Sequence, residues 1–231
     1  MKEITSRYAK ITKKFPREFI LLQGTGCFWK KCKFCDYFED VSENPFSVNK
    51  PVIEKLTGEF GIVEIINSGS AMELDPQTLD LIAQKADEIN IREIWFEVHW
   101  AYRNKLDEFA KKFKNQEVKF RTGIETFNSK LRNSWNKGIH ENIAASEIAK
   151  YFSSVNLLVG VKGQTLEDIK NDIEIAEKFF ERYMVNVFVE NDSQMKPDFD
   201  LINRFLSEIY PTIKDKNNVE ISINNTDLGV G

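Results

Sequence analysis

The feature that most constrains the fold is a repeated alternation between short apolar runs and stretches with helical spacing. Runs of strand character occupy residues 19–22, 62–66, 93–98, 118–124, 155–160 and 185–189, and an edge strand is expected at 219–223. Between the runs, apolar residues recur three or four positions apart, which indicates amphipathic helices. Asp75 before Pro76, and Thr165 three residues before Asp168, are typical of helix starts. Strands that alternate with helices predict parallel βα units.

About six βα units predict an α/β fold with an open sheet or a partial barrel. A complete eight-unit barrel typically needs about 250 residues, and this chain has 231. We expect one domain over residues 1–231, with its core at 15–210, a short N-terminal helix and a C-terminal strand. Ligands of parallel folds lie beyond the carboxyl ends of the strands, so functional residues are expected there.

Composition excludes several other classes of protein. Hydrophobic residues make up 42% and charged residues 29%, which is typical of a globular protein. The net charge of -4 argues against a general affinity for nucleic-acid phosphates. No segment approaches the run of about 18 apolar residues that crosses a bilayer, and the first residues lack an apolar signal core. We therefore expect a cytoplasmic protein that neither spans a membrane nor is secreted.

The cysteines are the most informative residues in the sequence. All three lie together at Cys27, Cys32 and Cys35, in a C-x4-C-x2-C pattern that follows the first predicted strand. Three thiolates can hold a metal centre, and an iron–sulfur cluster with three cysteine ligands has one iron left for a substrate or cofactor. A zinc site completed by His99 or His140 is an alternative. Three buried free thiols are another, which the lysines between the cysteines argue against.

The sequence resembles the radical S-adenosylmethionine (SAM) superfamily at four places. The cysteine motif lies where the superfamily has C-x3-C-x2-C, with a first gap one residue longer, and Phe34 precedes the last cysteine. The segments NSGSAME at 67–73, RTGIET at 121–126 and LVGVKGQTLED at 158–168 resemble superfamily motifs at the ends of later strands. The resemblance covers residues 15–210 and implies the partial (βα)6 radical SAM barrel.

This resemblance implies a cofactor set and the residues that hold it. The three cysteines would ligate a 4Fe–4S cluster, whose fourth iron binds SAM, and electron transfer to SAM would generate a 5′-deoxyadenosyl radical that abstracts hydrogen from a substrate. The implied electron donor is a protein such as flavodoxin or ferredoxin. The implied SAM-binding residues are Phe34, Ser68, Gly69, Ser70, Glu73, Arg121, Glu125 and Val161. Among them Gly69 and Ser70 would receive the amino group, Arg121 the carboxylate and Glu125 the ribose.

Polar and aromatic residues at other strand ends are candidates for binding a small molecule. The candidate substrate-binding residues are Trp29, Tyr37, Glu97, His99, Asn191 and Asp192, and Trp100 is a further aromatic candidate. Glu97 and His99 are also candidate catalytic residues, and the aromatic rings are suited to stacking on a planar heterocycle. Structural alternatives stay open: Glu97 paired with a lysine, Asp192 capping a turn, and the aromatic side chains in the core.

Three longer segments narrow the resemblance. LLQGTGCFWKKCKFCDY, ENPFSVNKPV and INSGSAMELD are similar to the queuine lyases, a family of radical SAM enzymes in queuine salvage. The resemblance implies cleavage of queuine to 7-aminomethyl-7-deazaguanine. One alternative is a radical SAM enzyme that acts on another small heterocycle, such as a deazapurine precursor. Alternatives from other classes are a zinc-stabilised nucleic-acid-binding protein and a structural α/β protein.

Overall fold

The computed structural model describes residues 4, 6–139 and 143–231, which fall into two compact units. The first unit comprises the described residues up to Lys30 together with 37–120 and 226–231. The second comprises 31–36 and the described residues of 121–225. Within each unit, every described strand pairs with the next strand in chain order.

The first unit contains three parallel strands and one antiparallel strand. Its strands are β1 (Tyr8–Ile11), β2 (Arg17–Leu22), β3 (Ile62–Asn67) and β4 (Glu93–Glu97). Its helices are α1 (Pro45–Ile53), α2 (Pro76–Glu88) and α3 (Leu106–Ala110), with 3-10 turns at Tyr37–Glu39, Ala71–Glu73 and Trp100–Lys105. The strands β2, β3 and β4 pair in parallel, and β1 pairs with β2 in the antiparallel direction.

The expected N-terminal helix is wrong, because residues Tyr8–Ile11 form β1. Ala9 and Ile11 alternate along this strand and pack against a buried cluster that contains Phe19. The Tyr8 hydroxyl donates a hydrogen bond to Glu18 at 2.7 Å. The two-residue spacing of Ala9 and Ile11 is that of a strand with one buried face. This pairing, which needs β2 as a partner, outweighs any local helical preference of a short segment.

The helix starts of the first unit follow ordinary capping chemistry. The Asp75 side chain accepts a hydrogen bond from the Thr78 N–H at 2.8 Å, and Pro76 is the first residue of α2, as predicted. Helix α1, which the sequence did not predict, begins in the same way, with an Asn44 cap. Pro51 lies inside α1, where proline normally argues against a helix.

The second unit repeats the strand–helix alternation. Strand β5 (Glu117–Glu125) begins in the first unit and reaches the second at Arg121, and is followed by β6 (Ser154–Val159), β7 (Arg182–Val187) and β8 (Val219–Ser222). The helices are α4 (Ser129–Ser134), α5 (Ala145–Ile148), α6 (Leu166–Phe179), α7 (Phe199–Arg204) and α8 (Tyr210–Ile213), with a π-helical segment at Phe205–Ile209. Each strand from β5 to β8 pairs in parallel with the next.

Two predictions for the second unit are confirmed. Thr165 and Asp168 form a capping box at the start of α6, and the edge strand is β8.

Gly160, which follows β6, has a φ of 88° and lies so close to Ile202 that a Cβ at Gly160 would be 2.2 Å from the Ile202 Cγ1. The strand therefore turns where only glycine fits.

Across the described residues, no helix has the length and apolar character needed to cross a membrane. That the units form one domain stays a prediction.

Candidate active site

The cysteine loop comprises residues 24–37. Its first half is hydrogen-bonded to the turn after β3. The Gly24 N–H donates to Ser68 Oγ at 2.9 Å, and the Thr25 N–H donates to the Glu73 carbonyl at 2.8 Å. The Phe28 N–H donates to Glu73 Oε1 at 2.8 Å. The backbone on both sides of Cys27 is therefore held by Ser68 and Glu73, which lie in the NSGSAME segment.

The turn after β3 leaves no room for a side chain at Gly69. An ideal Cβ there would lie 2.2 Å from Glu73 Oε2 and 3.2 Å from the Cys27 Cα. Glu73 closes a capping box with Ser70, whose N–H donates to Oε2 at 2.7 Å. Ser68, Ser70 and Glu73 are all buried. The structure thus brings Ser68, Gly69, Ser70 and Glu73 together beside Cys27, and it gives the Glu73 carboxylate internal partners.

Four aromatic rings form a cluster beside Cys27, which we call the aromatic cluster: Phe28, Trp29, His99 and Tyr102. Ring centroids are 5.0 Å apart for Phe28 and Tyr102, 5.3 Å for Phe28 and His99, and 6.3 Å for the nearly parallel rings of Trp29 and His99. The sequence singled out Trp29 and His99, but it missed Phe28. The Phe28 ring is 48% exposed.

His99 has a defined orientation. Its Nδ1 accepts a hydrogen bond from the Ala101 N–H at 3.2 Å, and its backbone N–H donates to Ser70 Oγ at 3.3 Å. A neutral imidazole whose Nδ1 accepts carries its proton on Nε2. In this geometry neutral His99 offers an N–H donor at Nε2, which suits binding better than proton removal.

Tyr102 connects the aromatic cluster to the turn after β3. Its hydroxyl donates to Glu73 Oε1 at 3.2 Å. Burial, followed by the neighbouring Glu73 carboxylate, raises the pKa of Tyr102 to about 12. The phenol therefore stays protonated at neutral pH and remains a donor to Glu73.

The second half of the cysteine loop is fastened within the second unit. The Lys33 N–H donates to the Trp135 carbonyl at 3.0 Å, and the Met195 N–H donates to the Lys33 carbonyl at 3.1 Å. The Asn191 side-chain amide donates to the Phe34 carbonyl at 2.9 Å. Asn191, a predicted substrate-binding residue, is thus placed to hold the backbone between Cys32 and Cys35.

Phe34 packs on a buried apolar cluster of the second unit. This cluster comprises Trp135, Leu158, Val161 and Phe188. The rings of Phe34 and Trp135 meet edge to face, with centroids 6.1 Å apart. Val161 is fully buried within this cluster.

Glu125 lies at the end of β5 in a strained conformation. Its φ is 66°, in the left-handed region that residues with a side chain rarely adopt and that is concentrated at functional sites. Lys137 Nζ lies 2.7 Å from Glu125 Oε1 and also sits over the Phe34 ring, 5.7 Å from its centroid. A Cβ at Gly123 would be 2.4 Å from Glu125 Oε1, so glycine makes room for the ion pair. The sequence missed Lys137.

Arg121 lies in the middle of β5 and not at its carboxyl end. It is the fifth of the nine residues of β5 and pairs in register with Ser154, the first residue of β6. Its Nε donates to Ser154 Oγ at 3.1 Å, and its side chain is buried. These contacts lie near the amino end of β6, whereas ligands of parallel folds lie at the carboxyl ends.

The remaining predicted residues are scattered over the strand ends. Glu97 is the last residue of β4, and Trp100 is buried beneath the Arg103 guanidinium, 4.5 Å from the ring centroid. Tyr37 is exposed at the start of a 3-10 turn. Asp192 is exposed, and its N–H donates to Asp36 Oδ2 at 3.3 Å. His140, named above as an alternative zinc ligand, lies outside the described residues.

The cysteines fit an iron–sulfur centre by their chemistry. Cys27, Cys32 and Cys35 form no disulfide and are of intermediate exposure. Within the described ranges, no group of three or more His, Cys, Asp or Glu side chains is arranged to hold a metal ion. The donor set is nevertheless three thiolates, the ligands that iron–sulfur clusters take. The assignment of the three cysteines as cluster ligands stays a prediction.

Solved structures supply the relevant comparisons. No protein-family model and no curated protein sequence matches the chain. The queuine lyase from Clostridium spiroforme bound to SAM and queuine matches with a TM-score of 0.93 and 39% identity, over 97% of this chain and 98% of that chain. The cobalamin-dependent SAM radical enzyme OxsB matches over 88% of this chain and 32% of that chain, with a TM-score of 0.40 and 11% identity, which is too low to support a conclusion.

The match to the queuine lyase therefore places this protein in the class of radical SAM enzymes. Near-complete coverage at this TM-score confirms the predicted α/β partial-barrel fold of that class. Within the class, the chain belongs to the queuine lyase family. The resemblance indicated by the cysteine loop and by the ENPFSVNKPV and INSGSAMELD segments is confirmed.

Proposed function

We propose that the chain, acting as one domain over residues 1–231, binds SAM and queuine and cleaves queuine to 7-aminomethyl-7-deazaguanine. The observation that carries this proposal is the match to a queuine lyase bound to both molecules, at 39% identity over 97% of this chain. At this level of identity, a shared reaction is better supported than a shared fold with a new function.

The cysteine loop is proposed to hold a 4Fe–4S cluster through Cys27, Cys32 and Cys35. When bound, the cluster supplies the electron that cleaves SAM. The protein's part is to hold the three thiolates and to exclude water and side reactions. Support comes from the three clustered cysteines, which form no disulfide, and from the backbone hydrogen bonds that fix Phe28 and Lys33 within the loop.

SAM is proposed to bind at the ends of β3, β5 and β6. The Gly69 and Ser70 backbone receives its amino group, with Ser68 holding the turn through Gly24. Glu125 accepts from the ribose hydroxyls, and its positive φ supports a functional placement. Phe34 and the backbone of Val161 line the adenine side. Arg121 stays the proposed partner of the SAM carboxylate, and its Nε also donates to Ser154 Oγ at 3.1 Å.

Queuine is proposed to bind against the aromatic cluster. Trp29 stacks on the deazaguanine ring, and His99 donates from Nε2 to an acceptor of the heterocycle. Glu97, at the end of β4, accepts from the amino and ring N–H groups of the guanine-like edge. Tyr37 and Asp192 are proposed to lie at the entrance, since both are exposed.

An electron donor and a compartment complete the proposal. The donor is a small acidic protein such as flavodoxin or ferredoxin, because Lys30, Lys31 and Lys33 are exposed between the cysteines and attract an acidic partner. The compartment is the cytoplasm, where free thiols are kept reduced. No nucleic-acid or membrane partner is proposed.

Anaerobic reconstitution with iron and sulfide tests this function. The protein should bind about four irons per chain, and dithionite should drive 5′-deoxyadenosine formation that increases on addition of queuine. Tight zinc binding without SAM cleavage would contradict the class of cofactor. SAM cleavage stimulated by a queuine precursor, but not by queuine, would replace the proposed substrate with another deazapurine.

A further inference from the structure

The Glu73 side chain makes more contacts than its capping box requires. In a capping box, the Glu73 side chain needs to accept only one bond, from the Ser70 N–H, and this bond is 2.7 Å long. The same carboxylate also accepts from the Phe28 N–H at 2.8 Å and from the Tyr102 hydroxyl at 3.2 Å. Both additional donors are distant in sequence, so these bonds are tertiary.

The Glu73 backbone holds the cysteine loop from the other side of Cys27. Its carbonyl accepts from the Thr25 N–H at 2.8 Å and from the Thr25 hydroxyl at 3.0 Å. One residue therefore bonds to positions two before and one after Cys27. Because Gly69 packs against the Cys27 backbone, with its ideal Cβ 3.3 Å from the Cys27 nitrogen, the loop has little space in which to shift.

We propose that Glu73 is a positioning residue that fixes the peptide between Cys27 and Phe28, and with it the direction of the Cys27 thiolate. The Tyr102 hydroxyl completes the set of donors around the carboxylate. Through Tyr102, whose ring touches Phe28, the same carboxylate links the cysteine loop to the aromatic cluster. The inference rests on the proposed function, which assigns Cys27 to the cluster.

The chemistry of the carboxylate makes the proposal testable with a near-isosteric change. A carboxylate only accepts hydrogen bonds, on two oxygens. Glu73→Gln replaces one of the two oxygens with a donor NH2 group, so either the Ser70 or the Phe28 N–H group then faces another donor. Glu73→Ala removes both acceptors. Tyr102→Phe removes only a hydroxyl and keeps the ring against Phe28. Asp168→Asn is the matched control, because Asp168 closes the equivalent capping box of α6 and has no bond to the cysteine loop.

Hydrogen exchange of the cluster-free protein gives the first measurement. Glu73→Ala should accelerate amide exchange in the peptide that contains Phe28, and Tyr102→Phe should accelerate it less. Glu73→Gln should accelerate exchange either in that peptide or in the one that contains Ser70. Asp168→Asn should change exchange only at the start of α6 and around Asn128, whose side-chain amide donates to Asp168 at 2.8 Å. Unchanged exchange at Phe28 in Glu73→Ala, or a uniform increase over the whole chain, would overturn the proposal. If Glu73→Ala does not fold, unchanged exchange at Phe28 in Tyr102→Phe overturns it.

The reconstituted protein gives the second measurement. Outer-shell partners of metal ligands typically contribute about 10–100-fold in metal affinity. Iron release to a chelator should therefore be about tenfold faster in Glu73→Gln than in wild type, with an altered EPR spectrum of the reduced cluster. Asp168→Asn should match wild type in both. Wild-type protein that takes up no iron refutes the proposed function, whereas the exchange experiment still decides the role of Glu73.

Discussion

Replacement of Gly69 by alanine should disrupt the turn that holds the cysteine loop. The added methyl carbon would lie 2.2 Å from Glu73 Oε2, well inside any contact distance, and 3.2 Å from the Cys27 Cα. Since the Cys27 contact is with backbone, the carboxylate is the group that moves. Its bonds to the Ser70 and Phe28 N–H groups are then lost or lengthened.

The magnitude follows from those two bonds. Hydrogen bonds to charged groups contribute about 1.5–3 kcal/mol each, and a glycine-to-alanine change returns about 0.4–1 kcal/mol by restricting the unfolded chain. With partial relaxation of the turn, we expect Gly69→Ala to lower the free energy of unfolding by about 2–4 kcal/mol. SAM affinity should fall as well, because the moved backbone is the proposed site for the amino group.

Urea unfolding of the cluster-free protein and calorimetric titration with SAM measure both effects. Gly163→Ala is the control: its φ is 94° and no atom lies within 4 Å of its ideal Cβ. The control should therefore cost only the left-handed backbone penalty, about 1–2 kcal/mol, and should bind SAM normally. The reasoning is refuted if Gly69→Ala is as stable as wild type and binds SAM with unchanged affinity.

Three further predictions address the cluster, the ion pair and the pH dependence. Cys32→Ala should fold but show no cluster absorbance and no SAM cleavage; a retained cluster would contradict the ligand assignment. Lys137→Met leaves the Glu125 carboxylate buried without its cation and should cost about 3 kcal/mol in urea unfolding, whereas Glu125→Gln combined with Lys137→Met should recover most of that loss. Burial raises the pKa of Asp172 from 3.8 to about 7, so the folded state retains a proton that the unfolded state releases, and stability falls between about pH 4 and pH 7. The unfolding free energy of Asp172→Asn relative to wild type should therefore rise by roughly 2–4 kcal/mol across that window, and a constant difference would refute the assignment.

The elements with strong local signals were predictable from the sequence. Residues Ile62–Asn67 and Ser154–Val159 are apolar runs, and the caps at Asp75 and Thr165 involve only residues three positions apart. The cysteine loop could be placed at the end of a strand for the same reason. Such signals depend on near neighbours, so a single sequence contains them.

The features that the sequence did not reveal depend on distant contacts. Strand β1 forms because β2 offers a partner, and α1 tolerates Pro51 near its end. Lys137 lies 12 positions after Glu125, and Phe28 lies 45 positions before Glu73, so neither pair has a periodic signature. The resemblance to the superfamily led to Arg121 as a carboxylate ligand, but it could not show that its side chain bonds to the first residue of β6.

The central claim is most directly tested by the products formed from queuine. The reconstituted protein, incubated anaerobically with SAM, a reductant and queuine, should release 7-aminomethyl-7-deazaguanine together with 5′-deoxyadenosine, both identified by mass spectrometry. Omission of SAM should abolish the deazaguanine product. Protein that carries an intact cluster and cleaves SAM, yet leaves queuine unchanged, would contradict the account.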